Sequence, residues 1–152
     1  MRTPGEILRD AKTIALVGAS PRADRPSNSV MRYLLRQGYD VIPVRPAGCD
    51  AVLGVPCVRT LPEIDRPIDL VDVFRRSELT PAHAREAVEV GAGALWLQFG
   101  VISPEGARIA QEGGLAVVMD RCLKVEHARY VGRMHWLGFN TGIISSVRGG
   151  LQ

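Results

Sequence analysis

Thr13-Ile14-Ala15-Leu16-Val17-Gly18-Ala19-Ser20-Pro21 is the stretch on which the fold turns. Thr13 to Val17 form an unbroken apolar run closed by a glycine, the pattern of a strand buried on both faces rather than one. Such strands belong to parallel sheets, so each needs a crossover before its neighbour. Upstream, Thr3, Pro4 and Glu6 fit a capping box with proline in the first helical turn, followed by Ile7, Leu8 and Ala11 on one face. Downstream, a loop rich in Pro, Ser and Asp leads to Val30, Met31, Leu34 and Leu35 at helical spacing, ended by Gly38.

The alternation then repeats. Val41-Ile42-Pro43-Val44 reads as a second strand, with Pro43 predicting a bulge or an early end because it removes a ladder donor. Residues 45–67, punctuated by prolines and glycines, read as an irregular crossover with short pieces of structure. Leu70-Val71-Asp72-Val73-Phe74 is a third strand. Thr80-Pro81 opens a helix carrying Ala84, Ala87 and Val88 and stopping at Gly91. Ala94 to Gln98 is a fourth strand, Ser103-Pro104-Glu105 caps a helix that stops near Gly113-Gly114, and Leu115 to Met119 is a fifth strand. Five apolar strands separated by helices or crossovers predict an α/β fold: a single Rossmann-like, doubly wound domain with a five-stranded parallel sheet and helices on both faces. No repeat or linker divides the chain, so residues 1–152 are read as one domain, with its core at about 11–126 and a C-terminal extension at 127–152.

Composition narrows the class. Of 152 residues, 46% are apolar and 23% charged, which excludes disorder. No apolar run approaches the roughly 20 residues of a membrane span, and the first residues lack a signal-peptide core. Cys49, Cys57 and Cys122 are an odd count without a CxxC pair, which predicts reduced thiols and a cytoplasmic setting. The net charge is only +3, but its distribution is uneven. Arg22, Arg25, Arg32 and Arg36 stand against Asp24 alone between residues 20 and 36. Five basic residues stand against Glu126 between 121 and 148. Seventeen of the nineteen basic residues are arginine, whose planar fork suits phosphate oxygens.

In doubly wound sheets, ligands lie beyond the carboxyl ends of the strands. Attention therefore falls on Gly18-Ala19-Ser20-Pro21, Val44-Arg45-Pro46, Phe74-Arg75-Arg76-Ser77, Gln98-Phe99-Gly100 and Asp120-Arg121-Cys122. Gly18 permits a tight turn, and Ser27, Asn28 and Ser29 stand near a helix start, where free amides favour a phosphate. The segment is equally read as a strand-to-helix turn capped by Ser27. Ser20 and Ala23 fill the second and third glycine positions of the usual dinucleotide fingerprint. Arg45 decides more: an NAD-binding domain wants an acid at the end of the second strand. Arginine there argues against NAD and fits a phosphate on a ribose, as in NADP or coenzyme A.

Gly18-Ala19-Ser20, the Ser27-Asn28 helix start, Val41 to Pro46, Asp69 to Arg75, Trp96 to Val101 and Met119 to Cys122 together resemble the small stand-alone bacterial CoA-binding proteins. That family is related to the N-terminal, CoA-binding domain of the succinyl-CoA synthetase α subunit. The resemblance runs from about Ala11 to Glu126, with the motifs in the family's order. It implies coenzyme A or an acyl-CoA as ligand. Gly18, Ala19, Ser20 and Pro21 would hold the diphosphate through backbone amides, and Val44, Arg45 and Pro46 would flank the adenosine. Val73, Phe74 and Arg75 would line the nucleotide or the start of the pantetheine arm, with Gln98 and Gly100 beside that arm. Arg25 and Asn28 join them as residues of the loop and helix start facing the phosphates. The resemblance supplies no catalytic centre, because the synthetase's phosphorylated histidine belongs to a further domain.

Asp120, Cys122, Glu126 and His127 are potential metal ligands, but no second ligand pair completes a zinc pattern, and no metal is expected. Cys122, with His127 or Arg121 nearby, is either an inert thiol after a strand or a nucleophile within reach of a ligand's thiol arm. His83 is expected on the surface and Trp96 in the core. Few aromatics and no recognition helix argue against nucleic acid. The expectation is therefore a binding module for CoA or an acyl-CoA without unaided catalysis. The alternatives are an NADP-dependent oxidoreductase or reductase subunit, and a CoA-sensing subunit that docks on a partner enzyme. The basic, aromatic segment Arg129, Tyr130, Arg133, Trp136 and Phe139 is read as an edge helix, a lid or a partner surface.

Overall fold

The computed structural model describes residues 2–132. Its first element, α1 (Pro4–Asp10), begins with the expected capping box: the Thr3 side chain accepts from the Glu6 amide, and the Glu6 carboxylate accepts from the Thr3 amide. That helix buries Ile7 and Leu8. The chain continues through β1 (Thr13–Val17), α2 (Pro26–Arg36) and β2 (Asp40–Val44). A small hairpin of β3 (Ala51–Val52) and β4 (Val55–Pro56) occupies the crossover, with a 3₁₀ turn at Leu61–Glu63. Then come β5 (Leu70–Val73), α3 (Thr80–Glu89), β6 (Ala94–Leu97), α4 (Pro104–Glu112), β7 (Ala116–Val118) and α5 (Leu123–His127).

The main sheet is five-stranded and wholly parallel, in the order β2-β1-β5-β6-β7. The chain winds from β1 outward to β2, then crosses to β5 and winds the other way. The switch point therefore lies between β1 and β5, whose carboxyl ends are Val17-Gly18 and Val73-Phe74. Side-chain alternation divides the core into two layers. Ile14, Leu16, Leu70 and Trp96 pack beneath α1, α2 and α5 with Leu8, Met31, Leu34 and Leu123. Ala15, Val17, Val71, Val73, Leu95 and Leu97 face α3 and α4 with Ala84, Ala87 and Ala110. Each fully buried Leu, Ile or Val side chain contributes about 1.5–3 kcal/mol, so these layers fix the sheet that carries the site.

Pro43 makes neither a bulge nor an early end. It pairs with Leu16, and the strand runs on to Val44 opposite Val17. β2 is the sheet's edge, and the Pro43 carbonyl accepts from Val58 on the outer side at 3.0 Å. The missing N–H points to that same side, where the main ladder needs no donor. Ser27 is not the cap of α2 either: Arg25 is the N-cap, Pro26 holds the first helical position, and no side chain caps the first amides.

Asp72 is the anomaly of the core. It is fully buried on β5, in register between Leu16 and Trp96, so it faces the α2 layer. Neither carboxyl oxygen has a hydrogen-bond partner among the described residues. Burial raises its pKa well above the carboxylate range, which keeps it a neutral acid.

After α5, residues Ala128–Gly132 make one π turn. There Tyr130 lies against α1, where a Cβ at Gly5 would come within 3.2 Å of its own Cβ. Arg133, His135, Trp136, Phe139 and Arg148, with the rest of the predicted extension, lie outside the described residues.

Candidate ligand cleft at the switch point

The loop after β1 is tied to its neighbours from both sides. The Gly18 and Ala19 amides donate to the Val44 carbonyl at 2.9 and 3.2 Å, and the Phe74 amide donates to the Val17 carbonyl at 2.8 Å. Gly18 has φ +91°, and a Cβ there would sit 2.8 Å from the Phe74 carbonyl oxygen. No other residue type fits that position without moving backbone. The next turn is supported from below. The buried Asn28 side chain donates through Nδ2 to the Ser20 carbonyl at 3.0 Å and accepts through Oδ1 from Arg32 at 2.6 Å.

Along the carboxyl ends of the strands runs a cleft of about 1280 Å³. At the β1–β2 end it is walled by Gly18, Ser20, Arg25, Ser27 and Arg45. In its middle lie Phe74 and Gln98. Phe99 and Val101 line it from the segment after β6, and Cys122 and Val125 from the segment after β7. Arg45 reaches over the loop, and its Nη1 donates to the Ala19 carbonyl at 3.3 Å. Gln98 is buried and accepts through Oε1 from the Leu123 amide at 3.3 Å, so it joins the end of β6 to the start of α5.

The cleft is electropositive. Arg22, Arg25, Arg45, Arg121, Lys124 and Arg129 line it, against Asp120 and Glu126. Arg22 is held by Asp24 at 2.8 Å and Arg129 by Glu126 at 3.6 Å. Arg25, Arg45, Arg121 and Lys124 make no ion pair among the described residues. The start of α2 adds the Ser27 amide and the positive end of its dipole beside Arg25, the Asn28 and Ser29 amides donating to the Arg25 carbonyl. Such a wall suits an anion carrying several phosphate oxygens.

Of the residues singled out in the sequence, Gly18, Ser20, Arg25, Ser27, Arg45, Phe74 and Gln98 come together along this cleft. Ala19, Val44 and Val73 are buried beneath it and shape its floor. Asn28 holds the Ser20 turn from inside the protein rather than facing the cleft. Pro21 and Pro46 are exposed just beyond it. Arg75 turns toward α3, against Gly18 and near His83. Gly100 is exposed, with its amide donating to Asp120 Oδ1 at 2.7 Å.

Asp120, Arg121 and Cys122, marked in the sequence as a strand-end segment, line the cleft, whereas the rest of that wall, Lys124 to Arg129, was missed. The excess of base over acid after residue 120 was its one signal. Cys122 and His127 do not meet: Cys122 lines the cleft at the N-cap of α5, whereas buried His127 engages the Tyr33 hydroxyl through Nδ1 at 2.8 Å. Burial lowers the His127 pKa, favouring the neutral ring there. His83 is half-buried rather than on the surface, and burial followed by nearby Arg75 lowers its pKa. Among the described residues no three His, Cys, Asp or Glu side chains gather into a metal-binding group. No described helix is long and apolar enough to cross a membrane.

A parallel sheet in this order, with a cation-rimmed cleft across its switch point, defines a Rossmann-like α/β domain. Comparison with known proteins narrows the class: residues 12–128 match the CoA binding domain family, and the chain belongs to that family. It is 47% identical to YneT, an uncharacterized protein of Bacillus subtilis, over 81% of this chain and 90% of that one. It superimposes on the structure of a hypothetical protein from Pyrococcus horikoshii with a TM-score of 0.81 at 40% identity, covering 86% of this chain and 94% of the other. A more distant likeness, 26% identity over 74% of this chain, is to an ADP-forming acetate–CoA ligase of Archaeoglobus fulgidus. The match spans only 18% of that larger enzyme.

Proposed function

We propose that this chain binds coenzyme A or an acyl-CoA in the switch-point cleft and catalyses no reaction unaided, serving as a binding module or as a CoA-sensing partner of an enzyme. The observation that supports this best is the cleft's lining, which joins cations from two sides to apolar side chains and a thiol. Arg22, Arg25 and Arg45 line the cleft from the β1–β2 side and Arg121, Lys124 and Arg129 from the segment after β7, beside Phe74, Phe99, Val101, Val125 and the Cys122 thiol. Coenzyme A suits such a lining, with three phosphate groups for the cations and a thin amide chain ending in a thiol for the apolar side chains.

In this reading the Ser20 amide, together with Arg25 and the Ser27 amide at the start of α2, holds the diphosphate. Arg45 holds the ribose phosphate at the edge strand. Phe74 and Gln98 border the pantetheine arm, with Gln98 free to use its amide nitrogen on the arm's carbonyls. Ala19, Val44, Val73 and Asn28 set the shape of the floor. Pro21, Pro46, Arg75 and Gly100 keep the flanking turns in place.

Thermal denaturation with CoA, dephospho-CoA, acetyl-CoA, NADP and NAD at equal concentration tests it. A ligand at about 100 times its dissociation constant adds about 2.7 kcal/mol. CoA is expected to stabilise strongly and dephospho-CoA less. Stabilisation by NADP with none by CoA would overturn the reading in favour of a hydride-transfer subunit.

A further inference from the structure

The crossover between β2 and β5 brings two thiols together outside the cleft. Cys49 and Cys57 flank the β3–β4 hairpin, both half-buried and close enough for one thiol to act on the other, with the Cys57 thiol donating to the Val58 carbonyl at 3.8 Å. The backbone places them there: the Cys57 amide donates to the Asp50 carbonyl at 3.2 Å, directly across from the residue that follows Cys49. Gly48, with φ +85°, turns the chain into this arrangement, and the Arg59 guanidinium fills the space a Cβ there would need, at 2.8 Å.

The same segment clamps Arg45. Its amide donates to the Val58 carbonyl at 2.8 Å, and its carbonyl accepts from the Gly48 amide at 2.8 Å. Cys49 follows one of these partners in sequence and Cys57 precedes the other. A bond between the two sulfurs would therefore tie the neighbour of Gly48 to the neighbour of Val58 and fix the spacing of the two partners that hold Arg45.

We propose that Cys49 and Cys57 form a reversible dithiol–disulfide pair whose oxidation tightens the backbone clamp on Arg45. The oxidant is a low-molecular-weight disulfide, R–S–S–R. A thiolate of the pair attacks one of its sulfurs, the S–S bond breaks, and the leaving thiolate takes up a proton. The second protein thiolate then attacks the mixed disulfide, forms the Cys49–Cys57 bond and expels the other R–SH. Two protein thiols are oxidised and one small disulfide is reduced to two thiols. Burial, followed by the Cys49 neighbour, pushes the Cys57 thiol up to about 12. The nearby Arg45 charge draws it down by less, so Cys57 is the second thiol to react rather than the first attacker.

Oxidised glutathione serves as the probe on the native protein, followed by alkylation and tryptic peptide mass. Trypsin spares the Arg45–Pro46 bond, so one peptide, residues 37–59, carries both cysteines, while Cys122 falls on another. The expected product is that peptide lighter by two hydrogens and unalkylated, restored to two alkylated thiols by dithiothreitol. In the oxidised protein, amide exchange at Arg45 should slow by about tenfold. Cys57→Ser should instead retain glutathione on Cys49, with Arg45 exchange unchanged. Alkylation at both sites after oxidation, or glutathione held stably on either in the wild type, overturns the pair. A disulfide that leaves Arg45 exchange unchanged overturns the clamp. None of these readouts depends on what the cleft binds.

Discussion

Replacing Gly18 with alanine strikes the point where the sheet's two halves meet. Gly18 has φ +91°, a conformation that costs an L side chain about 1–2 kcal/mol. The added Cβ would stand 2.8 Å from the Phe74 carbonyl oxygen and 3.0 Å from its carbon. Both belong to backbone fixed by the Phe74 amide's bond to Val17, so the neighbour cannot swing away as a flexible side chain would. Overpacking of that kind adds about 1–3 kcal/mol, bringing the expected loss to about 2–5 kcal/mol. A domain with about 5–15 kcal/mol of stability survives this, with Tm lowered by about 4–20 °C. The loop amides next to the cleft must shift with the substituted residue, so CoA affinity should fall along with stability. Thermal and urea denaturation followed by circular dichroism, with CoA titration of the folded variant, reads both quantities. A stability loss below about 1 kcal/mol with unchanged affinity would refute the claim that this close approach holds the loop in place.

Three further outcomes follow from other contacts. Asp72 has its folded pKa raised by burial, so the native state holds a proton that the unfolded chain releases near pH 4. Its contribution is present in full below that pH and lost as pH rises toward the folded value, at up to about 1.4 kcal/mol per pH unit. Asp72→Asn should abolish this slope, and parallel urea curves for the two proteins at several pH values would contradict it. Asn28→Ala removes the support of the Ser20 carbonyl and leaves Arg32 without its acceptor, at about 1–3 kcal/mol of stability. Calorimetry should also show weaker CoA binding, although Asn28 does not line the cleft. Arg45→Ala should cost about 1.5–3 kcal/mol of CoA binding, roughly tenfold to a hundredfold in Kd, and much less for dephospho-CoA.

Much of this architecture was legible because local chemistry and tertiary context agree. The Thr3 capping box, the apolar run Thr13–Val17 and the alternation of strands with helices each point to one outcome, and the parallel sheet realises it. Disagreement arose where neighbours decide. Pro43 looks disruptive until β2 is known to be an edge strand whose outer side needs no ladder donor. Asn28 looks like a phosphate ligand at a helix start, but the turn folds back over it and buries it. α5 has five residues, too few for a periodic signal, yet with its flanks it supplies Cys122, Lys124 and Val125 to the cleft. Gln98 was singled out as the polar end of a strand, and the structure adds its bond to the Leu123 amide, which no spacing encodes.

The central claim is that CoA occupies the cleft with its phosphates at the Arg25 and Arg45 end. Isothermal titration of CoA into the wild type and into Arg25→Ala and Arg45→Ala, at low and moderate salt, tests this most directly. The account predicts saturable one-to-one binding that weakens with salt and falls at least about tenfold in each variant. Absent binding to a folded wild type, or affinity unchanged in both variants, would contradict it.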